Sequence, residues 1–405
     1  MGFGIILPLM PFYAGAFSAT PLQVGLLYSV YSLAQLIFSP IWGSWSDRVG
    51  RRPIMLMSTL GAAGAYLLFG FAESLTMLFV SRLMAGMMGG NISTAMAYIT
   101  DSTPPEKRAQ GMGLIGAAFG IGFVLGPAIA TGLIHPGTAN LVESVGFLDL
   151  AEIMRTRTYE IPSFFAAGLS FISFLLVVFK LPESIKNEYS GAASKRLSVF
   201  NPALWKSFGA SGKTGIKGLF AMMLFAMFVL SFGHAGLYSA FPLFCESVFS
   251  MSAEQVGIQF SILGLIAVII QGGLIRPLSK IFAEEKIFIV GNIIMFFGMV
   301  VMGFASSITM LTIGLATMSI GNSLNSPTIN SLISKEADES MMGTTMGISQ
   351  SIAGMGRVVG PTWGGFLFAI NAYLPFWASA VILFVLAVLM FRLWNVSVGV
   401  KATAA

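Results

Sequence analysis

Long apolar stretches separated by short polar ones alternate along almost the whole chain. A helix that crosses a bilayer needs about 20 predominantly apolar residues, and backbone surrounded by lipid must satisfy its own hydrogen bonds within a helix. The pattern therefore predicts twelve membrane-spanning helices, called spans 1 to 12. Their predicted bounds are 1–17, 21–42, 54–72, 74–99, 110–134, 162–181, 216–243, 254–275, 287–306, 308–333, 341–369 and 373–394.

The composition agrees with this pattern, because 56% of the 405 residues are hydrophobic and only 10% are charged. Soluble domains average about 25% charged residues, so this chain cannot cover a globule with polar side chains. We expect a multi-pass integral membrane protein in contact with the lipid bilayer, and a monomer. The single cysteine, Cys245, cannot form an internal disulfide, and we interpret it as a packing residue.

The basic residues are distributed unevenly between the two sides of the predicted membrane. With the N-terminus inside, 18 of the 22 lysines and arginines lie in cytoplasmic loops, as the positive-inside tendency requires. The net charge of +5 therefore reflects topology, and we expect no nucleic-acid partner. Both termini are predicted to be cytoplasmic, in a plasma or inner membrane, or in an organelle membrane if the protein is eukaryotic. Residues 1–17 contain no basic segment typical of a cleavable signal peptide.

Short sequence repeats divide the chain into two similar parts. Gln23-Val24-Gly25 recurs as Gln255-Val256-Gly257, and Gly126-Pro127 recurs as Gly360-Pro361, at offsets of 232 and 234 residues. The repeats predict a duplicated six-helix unit, with the substrate site near the bilayer midplane between the halves. The predicted parts are 1–181, a cytoplasmic connection at 182–215, and 216–405.

Charges are densest between spans 2 and 3, in the segment 43–53. Its pattern is Gly43-x3-Asp47-Arg48-x-Gly50-Arg51-Arg52, which resembles the signature loop of the major facilitator superfamily. Further similarity to that family lies in Arg82-x3-Gly86, Gly122-x3-Gly126-Pro127, Leu181-Pro182-Glu183-Ser184, Gln271-Gly272-Gly273 and Gly356-Arg357-x2-Gly360-Pro361. Together these motifs are most similar to the twelve-span drug:proton antiporters, namely tetracycline-resistance-like proteins and their eukaryotic relatives. The implied fold is an all-α membrane protein with two six-helix halves.

Two positions depart from the antiporter pattern. The motif in span 5 usually ends in two glycines, where this chain has Ala130 and Thr131. The stretch from Gly2 to Pro8 resembles the middle of the family's first helix, in which an acidic residue stands three positions before the first glycine. The resemblance thus implies a first helix truncated at its N-terminus and lacking the expected proton carrier.

The resemblance also implies a cytoplasmic gate, formed by Gly43, Asp47, Arg48, Gly50, Arg51, Arg52 and Asp101. In this arrangement Asp47 faces the N-terminal end of span 11, near Ser340 to Thr344, where unpaired backbone N–H groups favour a negative charge. Arg51 pairs with Asp101 at the end of span 4. The alternative is that the arginines serve only as topology anchors. Close helix packing is predicted by the glycines and prolines Gly122, Gly126, Pro127, Gly360 and Pro361. Span 5 then either forms a seal between the halves or is only tightly packed.

Ionisable and polar residues inside spans are candidates for the proton or substrate site. Arg82 and Arg357 stand inside spans, where a charge is costly and usually faces the interior or a water-filled cavity. His234 in span 7 has an ordinary pKa near neutrality, although a packing role is the alternative. The other candidates are Gln35, Asn91, Gln271, Asn322, Asn325 and Gln350.

These observations predict a secondary transporter that exports small amphipathic organic molecules in exchange for protons. The alternatives are an organic-anion facilitator and, in another class, a non-transporting receptor or sensor on the same scaffold. We predict no enzyme activity, because no nucleophile and base share a plausible site and no nucleotide-binding loop occurs. No cofactor or metal site is expected. The loop at 135–160 is longer than the family's usual turn.

Overall fold

The computed structural model describes residues 2–104, 108–184, 219–336 and 342–403, and every regular element in these ranges is helical. The helices are α1 (Gly2–Ile6), α2 (Met10–Gly15), α3 (Pro21–Val49), α4 (Arg51–Gly70), α5 (Leu75–Gly89), α6 (Ile92–Ser102), α7 (Arg108–Ile134), α8 (Pro136–Ser144), α9 (Leu148–Thr156), α10 (Ile161–Lys180), α11 (Leu219–Phe249), α12 (Ala253–Ile269), a π-helical segment (Ile270–Leu274), α13 (Ile275–Ile281), α14 (Glu284–Gly303), α15 (Ile308–Glu336), α16 (Met342–Ile370) and α17 (Leu374–Thr403). The all-α fold predicted from the sequence is confirmed.

Within the described ranges, eight helices are long and apolar enough to cross a membrane, or nine if a bent pair around His135 counts as one span. Two further helices, α15 and α16, have 29 residues each, which is ample length for crossing. The polar residues that these two helices carry lower their hydropathy. The remaining predicted span, 1–17, is divided between the short helices α1 and α2.

The division of the first span follows from its prolines. A turn over Leu7, Pro8 and Leu9 separates α1 from α2, because Pro8 has no N–H to continue a helical ladder. Pro11 stands in the first turn of α2, where a missing N–H costs nothing. Both short helices are buried, so the segment crosses the interior as a broken helix rather than the continuous one expected.

Two other spans are interrupted at glycines. Predicted span 4 is divided into α5 and α6 at Gly89 and Gly90, since glycine lowers the stability of a helix interior. Predicted span 8 contains the π-helical segment Ile270–Leu274, which includes Gln271-Gly272-Gly273. A single π turn within an α-helix is frequently found at functional sites.

By packing, the described residues form two compact units. One contains residues up to 184 together with 238–264, and the other contains 219–237 together with residues from 265 onward. Each of the helices α11 and α12 thus has one part in the first unit and the other part in the second. The predicted connection at 182–215 lies outside the described residues from 185 onward, and the division into halves stays a prediction.

The paired glycine motifs form equivalent contacts, one in each unit. In the first unit, a Cβ on Gly4 of α1 would lie 2.5 Å from the carbonyl oxygen of Gly122, and a Cβ on Gly126 would lie 2.6 Å from the carbonyl carbon of Gly4. Only glycines allow the backbones of α1 and α7 to approach this closely. Gly122 and Gly126 therefore hold α7 against α1 of the same predicted half. A Cβ on Gly264 of α12, in the other predicted half, would lie 2.8 Å from the Cα of Val124 in α7, and the seal between the halves stays a prediction.

In the second unit, Gly356 and Gly360 of α16 lie against the backbone of α11. A Cβ on Gly356 would lie 2.8 Å from the carbonyl oxygen of Phe228, and one on Gly360 would lie 3.0 Å from the nitrogen of Gly236. Pro127 and Pro361 each follow the second glycine of their motif, at a position where the helix loses one backbone donor. The sequence repeat thus recurs as a repeated helix contact.

Candidate functional site

The segment 43–53, expected to be a loop, is almost entirely helical. Helix α3 continues to Val49 and α4 begins at Arg51, so that Gly50 alone connects them. Gly50 has a φ of +103°, a conformation that residues with a Cβ rarely adopt. One glycine therefore sets the turn that places the charges of both helices side by side.

The Arg51 guanidinium is the centre of the charged cluster. Its Nε donates to Asp101 Oδ2 of α6 at 2.9 Å, and an Nη donates to Asp47 Oδ1 of α3 at 2.5 Å. The same Nη lies 2.6 Å from the hydroxyl oxygen of Ser46. Because Arg51 is buried and bonded in two directions, it joins α3, α4 and α6 at one end of the first unit.

Glu183, whose position in the cluster the sequence did not reveal, completes this arrangement. One carboxylate oxygen accepts from the backbone N–H of Arg51 at 2.9 Å, and the other accepts from that of Arg52 at 3.1 Å. These N–H groups begin α4 and have no partner within the helix, and a negative charge is favourable at a helix N-terminus. The sequence contained one signal for this contact. That signal was the motif Leu181-Pro182-Glu183-Ser184, which places an acid just after α10.

The other members of the predicted gate lie around this centre. Arg52 donates to the carbonyl oxygen of Val178 at 2.7 Å, and the carbonyl of Gly43 accepts from the Ser46 hydroxyl. Arg48 is exposed in the last turn of α3, where a positive charge is favourable. Ser340, the start of the predicted partner of Asp47, lies outside the described residues, so that contact stays a prediction.

Arg82 is fully buried among aromatic side chains of the first unit. The guanidinium lies 5.3 Å from the ring centre of Tyr31 and 5.1 Å from that of Phe69, within the range of cation–π attraction. It also hydrogen-bonds the Tyr66 side chain. Gly86, one turn further on, allows α5 to approach the backbone of α3 at Tyr31, which accounts for the Arg-x3-Gly spacing.

This buried charge is incompletely satisfied. Among the described residues, the Nε and Nη2 atoms of Arg82 have no hydrogen-bond partner. A buried polar group without a partner costs free energy, and a buried charge costs more. Arg82 therefore retains donor capacity that the described side chains leave unused.

Two predicted site residues of the first unit join helices to one another. Gln35 of α3 donates to the carbonyl oxygen of Gly89 at 3.2 Å, next to the break between α5 and α6. Asn91 donates to the hydroxyl oxygen of Ser58 in α4 at 2.8 Å. Both amides satisfy groups near that break, so the structure gives them a packing role.

In the second unit the structure brings His234 and Asn322 together. Their side chains hydrogen-bond each other, linking α11 to α15 with a half-buried pair. Asn325, one turn further along α15, is fully buried. In the amide orientation that satisfies both of its polar atoms, its nitrogen donates to the carbonyl of Phe288 at 2.9 Å and its oxygen accepts from the N–H of Asn292 at 3.2 Å. Asn325 thus joins α15 to α14.

Helix α16 has two exposed sides of opposite character. Gln350 and Arg357 are both exposed and stand seven positions apart, which places them on the same side of the helix. Met355, Val359 and Phe366 are exposed on the opposite side. An apolar side suits lipid, whereas a glutamine and an arginine inside a span usually face a water-filled cavity. Gln271 is also exposed, on the π-helical segment.

The family model for the Major Facilitator Superfamily matches residues 1–361 and 274–403. The chain belongs to the major facilitator superfamily. It is 27% identical over 383 residues to multidrug resistance protein 2 of Bacillus subtilis, an alignment covering 93% of this chain and 87% of that protein. It is 28% identical to tetracycline resistance protein class D of Salmonella ordonez, covering 91% of this chain and 86% of that protein.

A solved structure shows the same fold. The human organic anion transporter MFSD10 (TETRAN) superimposes with a TM-score of 0.65 and 23% sequence identity, covering 96% of this chain and 95% of that one. The major facilitator assignment and the similarity to tetracycline-resistance proteins, both predicted from the motifs, are confirmed. The chain is thus a membrane-embedded member of a transporter family.

Proposed function

We propose that this protein exports small amphipathic organic molecules across its membrane in exchange for protons, by alternating access. The named functions of its relatives, multidrug and tetracycline resistance, support the substrate class. Such substrates are largely apolar and carry a few polar groups, which suits a pathway lined mostly by apolar side chains with few polar ones.

The observation that carries the proposal is the two-sided character of α16. Gln350 and Arg357 form its polar side, and Gly347, three positions before Gln350, has open space where a Cβ would stand. An exposed arginine next to hydrocarbon costs several kcal/mol, of the order of 3 kcal/mol on insertion scales. A solvated pathway on this side of α16 removes that cost and provides a route for the substrate.

Proton exchange requires a group that can gain and lose a proton, and we assign this role to His234. Its hydrogen bond to the uncharged Asn322 side chain fixes the orientation of the imidazole ring and leaves the ring able to gain and lose a proton. Arg82 and Arg357 are unsuited to this role, because arginine stays protonated in proteins. The Arg51 cluster, in our proposal, holds the cytoplasmic end of the first unit together during the transport cycle.

A second candidate function is the transport of organic anions. It is favoured by Arg82, whose buried guanidinium retains two nitrogens without a partner among the described residues. An anionic substrate group could bind there, as Arg pairs strongly with carboxylates. The structural relative MFSD10 is itself named an organic anion transporter.

Transport by the purified protein in liposomes tests these proposals. A fluorescent cationic drug and a fluorescent carboxylate are followed together with internal pH, with and without an imposed proton gradient. Drug movement that accelerates with the gradient and changes internal pH supports antiport. Carboxylate movement that ignores the gradient supports the anion facilitator, and no movement of either compound contradicts both.

The pathway itself is tested by two substitutions on α16. Arg357→Ala removes a charge from the polar side, and we expect transport to fall at least several-fold. Val359→Ala, two positions away on the apolar side, is the matched control and should transport at the wild-type rate. Wild-type rates in both variants would exclude the polar side of α16 as the pathway.

A further inference from the structure

The region between α7 and α10 contains a helical hairpin whose apolar residues are unusually exposed. Helices α8 and α9 have nine residues each and are tied together by Arg155, which donates to Asn140 at 2.8 Å and pairs with Glu143. Within 13 residues, six large apolar side chains are exposed, namely Leu141, Val145, Phe147, Leu148, Leu150 and Ile153. The surface of a soluble protein rarely exposes so many large apolar side chains within so short a segment.

The position of this hairpin restricts what can cover it. Helix α7 starts shortly after Asp101, the partner of Arg51, so α7 ends on the side of the membrane opposite to the Arg51 cluster. Both connections of the hairpin are ends of spans, at Ile134 and Ile161. Because each hairpin helix is only about 14 Å long at 1.5 Å per residue, α8 and α9 stay near the bilayer surface.

The direction of α8 also indicates the membrane surface. Its axis turns by 64° from the end of α7. A helix that continues a span at this angle runs closer to the plane of the membrane than to its normal. The turn is set at His135, whose ring nitrogen Nδ1 accepts from the N–H of Gly137 at 2.9 Å, followed by Pro136 in the first turn of α8.

The distribution of side chains on both helices suits an interface. Leu141 and Val145 stand four positions apart and share one side of α8. On α9, Leu150 and Ile153 stand three positions apart and share one side. Glu152, two positions after Leu150, lies on nearly the opposite side, next to Leu148. The exposed apolar belt of α10, including Phe165 one turn inside the span, continues directly into the hairpin.

We propose that the α8–α9 hairpin lies in the lipid surface on the side opposite to the Arg51 cluster, with Val145, Phe147 and Leu150 immersed at the boundary of the acyl chains. Helices of this kind bind membranes through buried apolar area and, where basic, through anionic lipids. The two arginines of the hairpin region are outnumbered by the three acids Glu143, Asp149 and Glu152. Binding therefore depends on apolar contact and requires no anionic lipid.

The single cysteine makes this proposal directly testable. Cys245 is buried, so a Cys245→Ser background leaves a unique label site after Val145→Cys, Leu150→Cys or Glu152→Cys. Each variant is labelled with an environment-sensitive bimane and reconstituted in phosphatidylcholine liposomes, with and without bromine on the acyl chains. We expect several-fold stronger bromine quenching at positions 145 and 150 than at the matched control position 152.

Two outcomes would overturn the proposal. Equally weak quenching at positions 150 and 152 would mean that neither side of α9 contacts lipid, and equally strong quenching would contradict the proposed orientation of α9. Blue-shifted emission at position 150 without bromine quenching, increasing with the protein-to-lipid ratio, would identify a second copy of this chain as the covering partner instead. Addition of phosphatidylglycerol is expected to leave the quenching at positions 145 and 150 unchanged, and a requirement for it would contradict the apolar mode of binding.

Discussion

At the scale of single residues, Arg51 and Arg82 show two ways of burying a guanidinium. Arg51 bonds two carboxylates and a hydroxyl, so its charge is compensated within the cluster. Arg82 is surrounded by aromatic rings and keeps two nitrogens unpaired among the described residues. A charge paired with carboxylates stabilises an arrangement of helices, whereas a buried charge that lacks such partners costs free energy.

The first prediction concerns the compensated cluster. Asp47→Asn and Arg51→Ala are expected to insert and fold in the membrane but to slow transport, since each removes bonds that join α3, α4 and α6. Initial transport rates in liposomes, normalised to the amount of reconstituted protein, measure the effect. Ser44→Ala, which changes an exposed residue of the same segment that, among the described residues, bonds only the carbonyl of Ile41 in its own helix, is the control. Wild-type rates for Asp47→Asn and Arg51→Ala would refute the gate assignment.

The second prediction concerns the uncompensated arginine. Arg82→Gln removes a buried charge, so we expect a higher Tm in detergent together with lost transport. Neutralising an unpaired buried charge relieves its desolvation cost, and sites retained for function commonly oppose stability. Arg82→Lys keeps the charge and serves as the control, without a gain in Tm. A lower Tm for Arg82→Gln would mean that Arg82 is a structural residue.

At the scale of elements, the connection between α3 and α4 depends on a single glycine and on an acid from elsewhere in the chain. Gly50 has the positive φ that the turn requires, and Glu183 after α10 caps the exposed N–H groups of α4. The orientation of α4 is thus coupled to the end of α10. A movement of α10 would change the cap, and with it the position of Arg51.

The third prediction tests this coupling. Gly50→Ala should destabilise the protein by about 1–3 kcal/mol, because an alanine at this φ is strained and its Cβ would collide with the Glu183 carboxylate. The loss is measured as a lower Tm by fluorescence-detected size exclusion after heating. Gly64→Ala in the same helix, where a Cβ meets open space, should leave the Tm unchanged or slightly raised.

The sequence predicted the helices better than it predicted the connections between them. Hydrophobic pattern and charge bias indicated the spans and the family, and the motifs located Arg51 and Asp101 in one cluster. The sequence placed a loop at 43–53, because this charged segment separates two apolar runs and resembles the family's signature loop, yet α3 continues to Val49 and α4 begins at Arg51. Glu183 could not be placed beforehand, since its role depends on a contact 132 residues away. The helices α8 and α9 were missed because nine-residue helices resemble loops in composition.

At the scale of the whole molecule, the proposed exchange requires substrate movement to be linked to proton movement. The residues proposed for the two tasks are different, with Arg357 and Gln350 on the polar side of α16 and His234 bonded to Asn322. Because the residues differ, substitutions can test substrate movement and proton movement separately. Such substitutions also distinguish a proton-driven exporter from a facilitator built on the same scaffold.

The fourth prediction separates coupling from transport. His234→Gln can keep a hydrogen bond to Asn322 but cannot titrate, so we expect downhill substrate movement to persist while the response to a proton gradient is lost. The other histidine, His135, is exposed outside the spans, and its Nε2 lies 3.4 Å from Glu254 Oε1. His135→Gln is the control for the loss of a histidine, and its gradient response should persist. An unchanged gradient response in His234→Gln would assign the coupling to another group.

The glycine contacts of α7 with α1 and of α16 with α11 also have a consequence for variation along the chain. Any side chain larger than hydrogen at Gly126 or Gly360 meets backbone atoms of the neighbouring helix, which have no freedom to move aside. A scan of every substitution should thus show two minima of mutational tolerance 234 positions apart. Such a paired signal would support the predicted duplication of a six-helix unit.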